Sequence, residues 1–153
     1  VQARHESPRP STTTVESVLR RQGADVTPEI TSRAERMVER FLESSLWTEI
    51  QAADPVYTEY PIAHQESEAE PPVVRRGVID LAYRTDAGWV LIDHKSDRVD
   101  GAPGEALTDA HSYVQQIRSY ADAWSSVIDA PVHRAGLWFA DSGTHVAVVW
   151  AEA

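Results

Sequence analysis

Apolar residues recur along this chain first at helical spacing and then in alternation, and each change of period marks an element. Residues 1–13, with Pro8, Pro10 and a Ser-Thr-rich patch, show neither period and read as a loose lead-in. Val15 to Arg21 predicts a short helix stopped by Gly23. Thr27 has the side chain of an N-cap and Pro28 suits the first helical turn. Ile30, Ala34, Met37, Val38, Phe41 and Leu42 then trace one buried stripe, with Arg33, Glu35, Arg36, Glu39 and Arg40 as a solvated face. Val56 to Ala63 reads as a strand and His64 to Pro72 as an acidic loop closed by two prolines. Val73 to Tyr83 and Gly88 to Lys95 form a hairpin through Thr85-Asp86-Ala87-Gly88. The unbroken Val90, Leu91 and Ile92 mark its second strand as buried on both faces. After a Gly, Pro and Asp-rich loop from Asp97 to Leu107, Thr108 to Ile128 has helical spacing in Val114, Ile117, Ala121 and Trp124. Val132 to Ala140 and Thr144 to Ala151 close the chain as a hairpin over Asp141-Ser142-Gly143.

Helix, three strands, helix, two strands is the order of a mixed sheet covered by helices, in the α/β or α+β class. One domain over residues 1–153 is expected, with a helical part at 14–53 and a sheet core at 54–153 that carries the 108–128 helix. A chain of this length buries roughly 70% of its unfolded surface, so a core forms without staples, and Trp89, Trp138 and Trp150 belong in it.

Composition narrows the chemistry. There is no cysteine, which excludes disulfides, thiolate metal sites, iron–sulfur clusters and thiol nucleophiles, and leaves oxygen and imidazole as metal ligands. No apolar run approaches the roughly 20 residues of a membrane span, so a soluble, cytoplasmic domain with no membrane partner is expected. The chain opens at Val1 and its one methionine is Met37, as expected of a piece excised from a longer polypeptide. The formal charge is -10, which disfavours tight independent contact with a polyanion. Acidic residues and arginine in place of lysine are also what a high-salt or high-GC source would give. Against that background Lys95 is the sole lysine, and it lies between hydrophobic strands.

Asp80 sits in the first strand of the central hairpin, Asp93 and Lys95 in the second, and alternation puts Asp93 and Lys95 on one face with Trp89 and Leu91. Two carboxylates about 4 Å apart repel by about 4 kcal/mol at an effective dielectric near 20, so they must shift a pKa, pair with the ammonium or hold a cation. Hard oxygen ligands suit magnesium or manganese. The bland alternative is a buried salt bridge. Glu59, one strand earlier, is either a further ligand or an ion-pair partner. The His94 ring points away from Asp93, and His64, His111, His133 and His145 are scattered without ligand spacing.

Gly77-Val-Ile-Asp80, Ile92-Asp93-His94-Lys95 and Tyr113-Val-Gln-Gln116-Ile-Arg-Ser-Tyr120 together resemble the RecB-like nuclease domain of helicase–nucleases, within the PD-(D/E)XK superfamily, over about residues 55–140. The resemblance implies a restriction-endonuclease-like core and a metal-dependent deoxyribonuclease acting in break processing or repair. It implies Asp80, Asp93 and the backbone carbonyl of His94 as ligands of Mg2+ or Mn2+, with Lys95 holding and activating the attacking water. Gln116 and Tyr120 would contact the substrate strand or support the hairpin. The family's upstream histidine has His5 as its candidate, although Val1 stands where a glycine would be and Pro8 would break the helix. The implied partners are DNA, single-stranded or unwound at its ends, a second helicase–nuclease subunit, and helicase motor domains of the same polypeptide. The alternative is a catalytically silent member of the fold, used for DNA binding or for contact between subunits; such modules usually lose an aspartate or the lysine. A purely acidic interaction domain would leave the lone lysine unexplained.

Overall fold

A computed structural model describes residues 12–66, 73–96 and 111–148. Helices α1 (Thr12–Arg21), α2 (Pro28–Leu42) and α3 (Ser45–Ala52) lead into strands β1 (Val56–Glu66), β2 (Val73–Thr85) and β3 (Gly88–Lys95). Helix α4 (His111–Ile128) and strands β4 (Val132–Phe139) and β5 (Thr144–Val148) follow. The five strands lie in the order β1-β2-β3-β4-β5. All neighbours are antiparallel except β3 and β4, which are parallel and therefore need the crossover that α4 provides. The result is the mixed sheet with covering helices that the residue pattern predicts. β3 is its central strand, with β2 beside it.

Both faces of β3 are covered. Leu91 packs with Ile79, Ile117, Trp124 and Leu137 under α4, while Val90 and Ile92 pack with Leu46, Ile50, Leu81 and Trp138 under α3. Leu91 and Leu137 are fully buried, so Leu137→Ala should cost about 2–5 kcal/mol in urea denaturation; a loss under about 1 kcal/mol would contradict this packing.

Local signals account for the helix ends. Gly23 adopts φ +75 and its N–H donates to the Arg20 carbonyl at 3.1 Å, closing α1. The Thr27 hydroxyl accepts from Ile30 N at 3.3 Å, with Pro28 in the first turn of α2. Thr12 and Thr13 belong to α1 and not to a loose lead-in.

Helix α3 is not legible from period alone because it is two turns long. It is capped by the Ser44 hydroxyl, which accepts from Trp47 N at 3.2 Å, and held by Leu46 and Ile50 one turn apart. Glu49 ties it to the sheet by accepting from the Tyr83 hydroxyl at 2.8 Å and pairing with Arg134. Burial, with the Glu49 contact behind it, pushes the phenol of Tyr83 far above its ordinary range, so it stays a donor.

Two expectations for α2 need correction. Ile30 is 38% exposed and Thr31 takes the buried place, because α2 packs on α1 and α3, and Phe41 near its end lies 5.4 Å from the Trp138 ring. Arg33 and Arg40 are not simply solvated: Arg33 Nε donates to Asp141 Oδ1 at 2.8 Å and Arg40 donates to the Asp141 carbonyl, pinning α2 to the turn between β4 and β5. The first strand also runs on to Glu66 and the second to Thr85, leaving Asp86 and Ala87 as the turn. The loop expected at Asp97 to Leu107, the start of the helix at Thr108 and Trp150 lie outside the described residues.

Candidate active site

The chemistry gathers where the ladder between β2 and β3 stops. Pairing between these strands ends at Leu81 and Ile92, so Asp80 and Asp93 are the next residues on each strand and face the end of the ladder. Alternation breaks at the same rung. Ile79 joins the core under α4 and Leu81 the core under α3, although two residues apart in a regular strand share a face. Opposite, Glu59 has φ +49, outside the extended region, between the Thr58–Leu81 and Tyr60–Ile79 pairs. Asp80 lies at this break in the alternation. Its Oδ2 accepts from His94 N at 2.7 Å.

That contact also places the His94 carbonyl. Lys95 O accepts from Ala140 N at 2.9 Å, so the polar backbone of Lys95 faces β4 and that of His94 faces β2. With no β2 ladder left at that level, the His94 carbonyl lies on the Asp80 side outside the sheet pairing. The His94 ring goes the other way, edge-on to Phe41 with centroids 5.5 Å apart.

Asp93 is buried, and Lys95 Nζ lies 2.6 Å from its Oδ2. The two form a buried ion pair, and among the described residues Lys95 is the one cationic partner of Oδ2. Desolvation holds the Asp93 carboxyl above its ordinary pKa, Lys95 opposes the shift, and the charge of Asp80 adds to it. The Lys95 ammonium donates to Gln116 Oε1 at 2.9 Å, and Gln116 Nε2 donates to Tyr120 Oη at 3.1 Å. Nζ also sits 4.3 Å from the centre of the Tyr113 ring. Tyr113, Gln116 and Tyr120 share one face of α4 at positions i, i+3 and i+7, a spacing visible in the sequence, although the cation–π contact of Tyr113 was not anticipated.

Asp80, Asp93, Lys95, Gln116 and Tyr120 are thus brought together, with the His94 carbonyl beside them. Glu59 is exposed, and among the described residues no third carboxylate or imidazole side chain completes a three-group metal cluster. His5 lies outside the described residues.

A buried carboxylate, a second carboxylate at the facing position of the neighbouring strand and a carbonyl outside the ladder form an oxygen set that fits a hard divalent cation. The family model of the PD-(D/E)XK nuclease superfamily matches residues 2–148. The chain belongs to that superfamily. It is a RecB-like nuclease domain, and it is similar to segments of bacterial proteins named as one subunit of an ATP-dependent helicase/nuclease. It is 34% identical over 80 residues to the one from Bacillus licheniformis (49% of this chain, 6% of the relative). It is 32% identical over 126 residues to that of Heliobacterium modesticaldum (74% and 9%). It is 31% identical over 157 residues to that of Bacillus cytotoxicus (89% and 13%). The chain therefore spans only a small part of the length of these relatives. No described helix is long and apolar enough to cross a membrane.

The raised pKa of Asp93 has a consequence for this nuclease domain. Folding strengthens proton binding at Asp93, so the stability this group contributes is present below the ordinary carboxylate range, near pH 4, and is lost as pH rises through the raised value. Without divalent cation, wild type should therefore lose stability relative to Asp93→Asn as pH rises from about 4. Thermal denaturation of both proteins from that pH upward tests it, and a pH-independent difference would refute it.

Proposed function

We propose that this domain hydrolyses phosphodiester bonds of DNA with Mg2+ or Mn2+ held by Asp80, Asp93 and the His94 carbonyl, as the nuclease part of a helicase–nuclease in double-strand break processing. The observation that carries the reading is the convergence of the buried Asp93 carboxylate, the Asp80 carboxylate and the single ammonium of Lys95, an excess of negative charge that a divalent cation would relieve. When bound, the cation supplies Lewis acidity toward a phosphate oxygen and makes water more acidic. Lys95 orients the attacking water and offsets the negative charge that develops on the phosphoryl oxygens as the P–O bond to water forms and the P–O bond to the leaving strand breaks.

The names of the relatives support helicase motor domains in the same polypeptide and, beside it, a further subunit. Such a motor would deliver single-stranded or unwound ends at high effective concentration, which answers the net charge of -10. Binding of DNA by this chain alone should accordingly be weak and salt-sensitive; tight metal-free binding at high salt in fluorescence anisotropy would contradict it. A silent binding module is disfavoured because Asp80, Asp93 and Lys95 are all present and assembled. Incubating the chain with end-labelled single-stranded DNA, with and without manganese, tests the proposal. Manganese-dependent shortening is expected; intact label in both lanes, with duplex-delivered substrate also intact, would overturn it.

A further inference from the structure

Gly77, Tyr120 and Gln116 form one mechanical train ending on Lys95, and its first member is set by what it lacks. A Cβ built on Gly77 would lie 2.6 Å from Tyr120 Cε1 and 2.8 Å from Tyr120 Oη, so the ring would have to shift to admit one. The tyrosine ring therefore occupies the space that a side chain at position 77 would fill. It can do so because Gly77 pairs with Ile62 on the part of β2 beyond the break at Asp80, where the β1–β2 hairpin continues past β3. Seated there, Tyr120 presents Oη to Gln116 Nε2 at 3.1 Å, which fixes the amide so that Oε1 faces Lys95 Nζ at 2.9 Å. Lys95 then has its ammonium shared between Gln116, Asp93 and the face of Tyr113.

We propose that Gly77 and Tyr120 are positioning residues for Lys95, acting through Gln116, and do not themselves contact the DNA strand. This rests on the reading of Asp80, Asp93 and Lys95 as the hydrolytic centre, and it gives the glycine of the Gly77-x-x-Asp80 stretch a task distinct from backbone freedom. The glycine is a seat for the ring of α4. Each strand of the hairpin then carries one group for the cation and one for the lysine: Asp80 and Gly77 on β2, Asp93 and Lys95 itself on β3.

Lys95 is the only lysine, so the chain grown with lysine labelled at Nζ with 15N gives a single side-chain reporter of that seat. Tyr120→Phe keeps the ring and removes only Oη, and Gly77→Ala pushes the ring out; both are expected to move the Nζ resonance, while Gln115→Ala, on an exposed position of the same helix, leaves it in place. Adding Gly77→Ala to Tyr120→Ala should move it no further, since the clash partner is gone. In cleavage assays Gly77→Ala should lower kcat about tenfold or more with KM unchanged, and should cost nothing further in the Tyr120→Ala background. An unmoved resonance in Tyr120→Phe overturns the proposal, as does an equal kcat loss from Gly77→Ala in both backgrounds, or a loss carried by KM, which would mark a strand contact. If the resonance behaves as expected but wild type and Asp93→Ala do not differ in cleavage, the seat stands and the hydrolytic reading falls.

Discussion

Lys95→Ala is expected to keep manganese and lose cleavage, by on the order of 100-fold or more, about 2.7 kcal/mol of transition-state stabilisation. The ammonium carries a positive charge and no lone pair when protonated, so it cannot ligate a cation. It sits 2.6 Å from the Asp93 oxygen that a cation would use, and its side chain is largely withdrawn from solvent. In that setting its charge opposes a bound metal and favours negative charge developing on a phosphate. Removing it should leave manganese affinity unchanged or higher in calorimetric titration, while a gel assay shows the loss of product. A variant that cleaves at the wild-type rate would reduce Lys95 to the structural partner of Asp93.

Asp93→Ala should lose both cation and cleavage. Of the two carboxylates, Asp93 is the buried one and its partner is the Lys95 ammonium, whereas Asp80 has one oxygen engaged by the His94 N–H. Truncation removes one of the two carboxylates and leaves only Asp80 and a backbone carbonyl, too few anionic oxygens for a hard divalent ion. The fold should survive. Breaking a buried pair costs about 3–5 kcal/mol when the remaining charge has no partner, but Lys95 keeps Gln116 and Tyr113, so urea denaturation should show a smaller loss. Manganese binding by a folded Asp93→Ala protein at wild-type affinity, together with wild-type cleavage by Lys95→Ala, would make the salt bridge the better account of both residues.

Much of this was legible in the residues. Alternation placed Asp93 and Lys95 on one face of a strand whose neighbours Val90, Leu91 and Ile92 are apolar, and period-two spacing survives folding because both faces of β3 are covered. The caps at Thr27 and Gly23 were likewise local, since a hydroxyl or a left-handed glycine acts on its own chain within a turn. Helix α3 escaped because two turns offer too few positions for a period to register. The tie from Arg33 to Asp141 escaped because it joins residues 108 apart, and no spacing rule reaches that far.

The sequence by itself determined which groups carry charge and which strands and helix hold them: Asp80 on β2, Asp93 and Lys95 on β3, Gln116 and Tyr120 one turn apart on α4. These are matters of composition and short-range periodicity, fixed by the geometry of a strand and a helix. Only the tertiary structure decided that β2 loses its alternation at Asp80, that this carboxylate accepts from the His94 N–H and that a carbonyl lies outside the ladder. Only the packing of α4 beside β3 brought the Gln116 amide to Lys95 and the Tyr120 ring to Gly77. The physical reason is the same in each case: a break in alternation, a buried desolvated carboxylate and a ring seated against a glycine are properties of the space between elements, and the chain specifies that space only once the elements have packed.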